Sequence, residues 1–220
     1  MVILRSTLLQ DAGFDHGFAE RSADAQDVAR ALRVSRVIQV KQVHGSRTLE
    51  ASEARGEQEA DAIVGRAADG PIAVGVRVAD CLPVLVADAA SGDVVAIHAG
   101  WRGVVAGVVP TAVMQLRARV VLAALGPCIG ACCFEVDRNV AEAIANSTPA
   151  ATVITRREGD KAWVDLRAAV RAQLSSVGVG TVHVEDVVGC TKHEAMRFHS
   201  FRRDGAGSGR MLAAVRPRAS

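Results

Sequence analysis

Short aliphatic and β-branched runs, each closed by polar or turn residues, recur along the chain. They predict strands over Arg36–Val43, Ile72–Val78, Val84–Ala87, Val94–His98, Val120–Leu125, Ala151–Thr155, Thr181–Val187 and Met211–Val215. A period nearer 3.6 predicts helices over Ala23–Leu32, Val104–Ala118, Asp137–Asn146 and Leu166–Ser176. In the last of these, Leu166, Ala169, Val170, Gln173 and Leu174 share one face, and Asp165 stands where an N-cap is expected. Strands and helices interleave, but adjacent strands in the middle of the chain have no helix between them. That order predicts mixed β-sheets in a layered α/β domain, not a purely parallel doubly wound sheet.

The chain has 220 residues, half of them hydrophobic, with a formal net charge of +2. One domain spanning 1–220 with a substantial core fits that length, and disorder does not fit that composition. The near balance of 26 basic and 24 acidic residues gives no electrostatic footprint for a nucleic-acid backbone. No run reaches the roughly 18–20 uncharged apolar residues of a membrane span, and the opening Met1-Val2-Ile3-Leu4-Arg5 does not resemble a secretory leader. Five scattered cysteines read as reduced thiols, which predicts a cytoplasmic setting. No nucleic-acid or membrane partner is expected. The oligomeric state stays open, with a monomer as the working expectation. Gly205, Gly207 and Gly209 mimic a dinucleotide fingerprint but precede a strand instead of opening a helix.

Candidate chemistry sits where apolar runs end. His44 closes Lys41-Gln42-Val43-His44-Gly45, Cys81 lies in Asp80-Cys81-Leu82-Pro83, and His98 opens His98-Ala99-Gly100-Trp101-Arg102-Gly103. A His, a Cys and a second His with a fourth position open is the ligand set of a catalytic zinc. The spacing alone is served as well by hydrogen-bonded structural histidines and a core cysteine. Cys128, Cys132 and Cys133 have the look of a second metal cluster, but beside Gly126 and Gly130 they read instead as a tight loop of small residues near the pocket. His16, His183 and His193 show no supporting context.

The wording of these motifs adds what spacing does not. Asp80-Cys81-Leu82-Pro83 and His98-Ala99-Gly100-Trp101-Arg102-Gly103 are followed by Gly126-Pro127-Cys128-Ile129-Gly130 and Cys132-Cys133-Phe134-Glu135-Val136. With Asp61-Ala62-Ile63-Val64 and Ser200-Phe201-Arg202-Arg203-Asp204-Gly205, they closely resemble the polyphenol oxidase/laccase-domain family, also called the YfiH-type or peptidoglycan editing factor family. The resemblance implies a single α/β/β/α layered domain with mixed sheets. It implies Zn²⁺ on His44, Cys81 and His98, which would be the catalytic centre. It also implies phosphorolysis of adenosine, inosine, guanosine and methylthioadenosine, with adenosine deamination, so that the small-molecule partners are a purine nucleoside and phosphate.

Zinc with one thiolate and two imidazoles keeps positive charge and can acidify a water. Arg21, in His16-Gly17-Phe18-Ala19-Glu20-Arg21, matches the family's early arginine and is expected to hold phosphate or ribose; Gln42 and Arg102 are further expected substrate contacts. Trp101 reads as a helix-start anchor, with stacking on a base as the alternative; Asp80 reads as a support on the opposite face; Arg202, Arg203 and Arg210 read as loop-ordering charges, with phosphate binding as the alternative.

The chain departs from the family where Ser22-Ala23-Asp24 replaces a common Gly-Gly pair, and at the His199 and Phe201 positions, where the family tends to have Phe or Tyr and this chain has His at the first. Two alternative functions stand beside the zinc enzyme. One is a copper polyphenol oxidase, although a multi-copper centre needs far more imidazoles than the six here. The other is a peptidoglycan-precursor editing hydrolase or binding protein. Copper could also occupy the three-ligand set in place of zinc.

Overall fold

A computed structural model describes residues 2–116, 120–149, 151–180 and 183–218. In chain order the strands are β1 (Ile3–Leu4), β2 (His16–Ala19), β3 (Val37–Ile38), β4 (Thr48–Glu50), β5 (Ala62–Gly65), β6 (Ala73–Val78), β7 (Leu82–Asp88), β8 (Val94–Ala99), β9 (Val121–Leu125), β10 (Glu135–Asp137), β11 (Ile154–Glu158), β12 (Lys161–Val164), β13 (Val184–Asp186) and β14 (Met211–Val215). The helices are α1 (Thr7–Asp11), α2 (Ala25–Ala31), α3 (Trp101–Val105), α4 (Val108–Val113), α5 (Arg138–Ser147), α6 (Leu166–Ser176) and α7 (Phe201–Asp204). Three sheets form: β1-β2-β14-β6-β3, β13-β9-β7-β8-β5-β4, and the small β10-β12-β11. The two large sheets mix parallel and antiparallel pairs, as the strand order predicts.

The layers follow from period-two alternation. On one face of the six-stranded sheet, Val84, Val86, Val95, Ile97, Ala123 and Leu125 pack against Val108, Val109 and Val113 of α4 and Leu166, Val170 and Leu174 of α6. On the other face, Leu85, Ala87, Val94, Ala96, Leu122 and Ala124 meet Phe18, Val74, Val76, Ala213 and Val215 of the five-stranded sheet. The outer face of that second sheet, through Ala73, Leu212 and Ala214, is covered by Val28 of α2 and by Leu32. The result is an α/β/β/α arrangement. β7 and β8 are buried on both faces over their whole length, which is why they read as unbroken apolar runs.

Several local expectations are corrected. The helix expected over Val104–Ala118 is two helices, because Gly107 adopts φ +76° between α3 and α4 and such a left-handed residue breaks the helical path. Its expected end at Ala118 lies outside the described residues, as does the start of the strand expected at Thr181. Of Arg36–Val43 only Val37–Ile38 forms a strand, in parallel with β6, and Lys41 adds an isolated parallel bridge to Glu59. Beyond it the Gln42 side chain takes the place of a strand neighbour, exchanging two 2.7 Å hydrogen bonds with the Arg77 backbone. The strand expected at Ala151–Thr155 starts at Ile154 and runs into exposed Arg156, Arg157 and Glu158. Its polar, solvent-facing residues carry no apolar alternation. No helix among the described residues is long and apolar enough to cross a membrane.

His16, at the start of β2, is fully buried. Its Nε2 accepts from the Ser6 N–H at 2.8 Å and its Nδ1 donates to the Phe14 carbonyl at 2.8 Å. A proton on Nε2 would break the first of these bonds, so the neutral ring is required, and burial pushes its pKa down. Below about pH 6.5 the unfolded chain therefore binds a proton that the native chain refuses. Stability is full above that value and falls with pH by about 1.4 kcal/mol per unit from this one group. Urea melts between pH 7 and 5 should show that loss, and His16→Gln should flatten it. An unchanged slope in the variant would assign the acid sensitivity elsewhere.

Candidate active site

The site lies at one end of the paired sheets, where β7 begins, β8 ends and the segment after β3 turns back. His98 continues the inter-sheet row of Val94 and Ala96 on β8. Cys81 immediately precedes β7, and Asp80 before it holds φ +86°. His44 holds φ +62°, a conformation that costs a non-glycine residue energy and that the surroundings must enforce. The enforcing group is Asp61, fully buried just before β5. Its Oδ1 accepts from His44 N at 2.9 Å, and its Oδ2 accepts from Gly45 N at 2.6 Å and Val43 N at 3.3 Å. Successive N–H groups wrapped around a carboxylate form an anion nest.

Oδ1 of Asp61 also accepts from His98 Nδ1, at 2.8 Å. One carboxylate therefore orients both histidines and leaves Nε2 of His98 available. The ligand atoms of His44, Cys81 and His98 lie within 4.8 Å of one another. Cys81 Sγ is 3.9 Å from His44 Nε2, and the two imidazoles meet edge to face at 4.8 Å between centroids. Gly100 leaves the space they need, since a Cβ there would sit 2.9 Å from His44 Cδ2 and 3.1 Å from Cys81 Sγ. Gly103 in turn lets α3 approach the Gly45 carbonyl, 3.0 Å from where its own Cβ would be.

Burial works against charge on both Cys81 and His98, but the cluster overrides it. The imidazoles of His44 and His98 bring the Cys81 thiol down to about 6, while Asp61 and the Cys81 thiolate raise His98 to about 9. Burial likewise opposes the Asp61 carboxylate, and the N–H donors from His98, Gly45 and His44 hold its pKa below the usual range. A thiolate, two oriented imidazoles and an outer carboxylate on one of them fit a zinc-type ion. These three residues could hold a divalent metal with one side open.

That open side faces a cavity of about 640 Å³ lined by His44, Cys81 and His98, by the rings of Trp101, Phe134 and Phe201, and by Arg77, Arg102, Arg202 and Arg210. This is within the size range of small-molecule sites. A larger depression of about 940 Å³ lies between Arg36–Val40 and Ala51–Gly56, but no His or Cys lines it.

The expected substrate contacts divide. Arg102 lines the cavity with its guanidinium 4.5 Å from the Trp101 ring. Gln42 lines it too, but both ends of its amide are committed to Arg77. Arg21 does not line the cavity; its guanidinium donates to the Ala195 carbonyl. Arg202 and Arg210, expected first to order a loop and second to bind phosphate, stand on the cavity wall.

Asp80, expected on the opposite face, lines the cavity and has both carboxylate oxygens engaged. Its Oδ1 accepts from Thr191 Oγ1 and its Oδ2 from Arg202 N, each at 2.6 Å. Asp61 was missed as a functional residue, although a carboxylate opening the apolar run Ala62-Ile63-Val64 is the available signal. The cysteine-rich loop also differs from expectation. Cys128 is buried, with its thiol pushed up to about 12, whereas Cys132 and Cys133 face Cys190 and His193.

Residues 19–218 match the family described as multi-copper polyphenol oxidoreductase laccase. The chain belongs to this family. It is 38% identical over 172 residues to adenosine deaminase RL5 of an unknown prokaryotic organism, covering 72% of this chain and 64% of that one. It thus spans under two thirds of that relative. It is 36% identical over 184 residues to purine nucleoside phosphorylase YfiH of Escherichia coli K12, covering 82% and 74%. The crystal structure of YlmD from Geobacillus stearothermophilus superposes with a TM-score of 0.85 at 26% identity, over 99% of this chain and 97% of that one. The mixed α/β fold is therefore the family's fold.

Proposed function

We propose that this family member is a zinc-dependent purine nucleoside phosphorylase that also deaminates adenosine, with His44, Cys81 and His98 as its catalytic metal ligands. The observation that carries the reading is the opening of a thiolate/bis-imidazole cluster into a cavity with both aromatic and cationic walls. Relatives named as a purine nucleoside phosphorylase and as an adenosine deaminase support it.

Trp101, Phe134 and Phe201 offer faces for a purine. The Arg102 guanidinium makes no protein hydrogen bond among the described residues and lies against the Trp101 ring on the cavity wall. Arg202 and Arg210 each donate through Nη1 to backbone carbonyls, leaving the rest of the guanidinium toward an anion. These three take the phosphate role in preference to Arg21, because a guanidinium fork suits oxyanions. In phosphorolysis, phosphate attacks ribose C1′, the C1′–N9 bond breaks, and the purine leaves with a proton. In deamination, water adds at purine C6 and ammonia departs. Bound Zn²⁺ would supply Lewis acidity at the reacting centre. Asp61 keeps the Nδ1 proton on His98, so that Nε2 faces the cavity side as a donor of electrons. The five cysteines are free thiols, which supports a reducing, cytoplasmic setting.

Incubation of the zinc-loaded protein with adenosine tests the proposal. Adenine and ribose 1-phosphate should appear only when phosphate is present, and inosine should appear with or without it. If neither product forms, the nucleoside reading is wrong.

A further inference from the structure

A second set of soft ligands converges away from the cluster at His44. Cys132 and Cys133 sit in the turn that follows Gly130, whose carbonyl accepts from Cys133 N and Phe134 N at 2.9 Å each. Cys190 and His193 occupy one helical turn, closed by Glu194 N donating to the Cys190 carbonyl at 3.0 Å. The ligand atoms of all four residues lie within 4.8 Å of one another.

The separations can be compared with a tetrahedron. Zinc bonds of about 2.3 Å to sulfur and 2.0–2.1 Å to nitrogen give edges of about 3.8 Å between sulfurs and about 3.6 Å from sulfur to nitrogen. Here Cys132 Sγ is 3.8 Å from Cys133 Sγ and 4.0 Å from Cys190 Sγ. From the His193 ring, Nδ1 is 3.6 Å from Cys132 Sγ and Nε2 is 3.2 Å from Cys133 Sγ, so either nitrogen has a sulfur at edge distance and one of the two would take the fourth position. Gly130 N also donates to Cys190 Sγ at 3.3 Å, a bond that favours the thiolate over the thiol. Three cysteines and one histidine are a donor set of structural zinc sites, with Cys190 and His193 spaced on one turn and Cys132 and Cys133 adjacent in a distant loop.

We propose that Cys132, Cys133, Cys190 and His193 form a closed, four-ligand Zn²⁺ site, separate from the three-ligand cluster. Binding displaces the three thiol protons, leaving three thiolates and one neutral imidazole around the ion. No redox change occurs and no co-reactant is needed. With all four positions taken by protein, the site is structural.

Its place in the fold says what it holds. The first loop carries Ile129 and Phe134, and Phe201 and Arg202 follow the second; all four line the cavity. Cys190 pairs with Cys128 in an isolated bridge, and Thr191 reaches the Asp80 carboxylate, one residue from Cys81. The ion would pin one cavity wall to the other.

The test uses the full chain, purified under reducing conditions, loaded with Zn²⁺ or Co²⁺ and desalted. Wild-type protein should hold two equivalents and Cys81→Ser one. Cys132→Ser/Cys190→Ser should also hold one, and the triple variant none. Co²⁺ in the Cys81→Ser protein should give tetrahedral bands in the visible and thiolate charge transfer scaled to three sulfurs. His193→Cys should keep the ion and raise that intensity to four sulfurs. A Cys81→Ser protein that binds no Co²⁺ would overturn the proposal. So would a Cys132–Cys190 disulfide in the reduced preparation, detected as the loss of two hydrogens by mass. Because the Cys81→Ser readout needs no change at the second cluster, misfolding of the double variant does not blunt the test. Failure here leaves the adenosine assay unaffected, so the two proposals can fail separately.

Discussion

Cys81→Ser is expected to lose the metal held with His44 and His98 and to lower nucleoside turnover by about 10³-fold or more. Serine keeps the shape but not the charge: the thiol here ionises at about 6, and a hydroxyl stays protonated, so the anionic ligand disappears. The Lewis acidity that goes with it is worth several kcal/mol of barrier, and about 4 kcal/mol corresponds to that factor. His98→Ala should do the same and should also destabilise the fold, because it removes the 2.8 Å partner of a fully buried carboxylate. Metal analysis and adenosine turnover should fall together in both variants, and a melting curve separates the two cases. Full activity in metal-free Cys81→Ser would refute the assigned roles.

Asp61 is expected to produce the second largest effect without touching substrate. Its two oxygens collect four N–H donors: the His98 ring and the backbone of Val43, His44 and Gly45. Asp61→Ala leaves them unpaired in a buried place, which should cost about 3–5 kcal/mol of stability. It also frees the His44 backbone from its left-handed conformation.

Asp61→Asn is the sharper experiment. An amide has one acceptor edge, so its NH₂ must face either the His98 and His44 donors or the Gly45 and Val43 donors. The expected cost is about 1–3 kcal/mol of stability and about 10–100-fold in metal affinity. Urea melts and a metal-competition titration measure the two separately. Wild-type metal affinity in Asp61→Asn would show that the carboxylate supports the loop alone and not the ligands.

The elements differ in how plainly the chain announces them. α6 and β14 are legible because each carries one clean period and a clear boundary, Asp165 for the helix and Gly209 before the strand. β7 and β8 are legible as apolar runs, since both of their faces are covered. β10, β11 and β12 form a small sheet with exposed edges, where packing imposes no alternation that a reader could find. The break between α3 and α4 hangs on one residue, Gly107, whose left-handed conformation is a choice of the tertiary context.

The site shows the same division. The chemistry of His44, Cys81 and His98, their places at the ends of apolar runs, and the family to which the chain belongs were all readable from residue types and their order. Their meeting was not, because 37 residues separate His44 from Cys81 and only the sheet register closes that gap. The role of Asp61, the place of Arg77, Arg202 and Arg210 beside Arg102 on the cavity wall, and the meeting of Cys132, Cys133, Cys190 and His193 were decided by the tertiary structure. Linear order records which donors a chain owns, whereas a carboxylate's partners or a metal's ligands are set by distances of a few ångströms between segments that the packing of two sheets brings together.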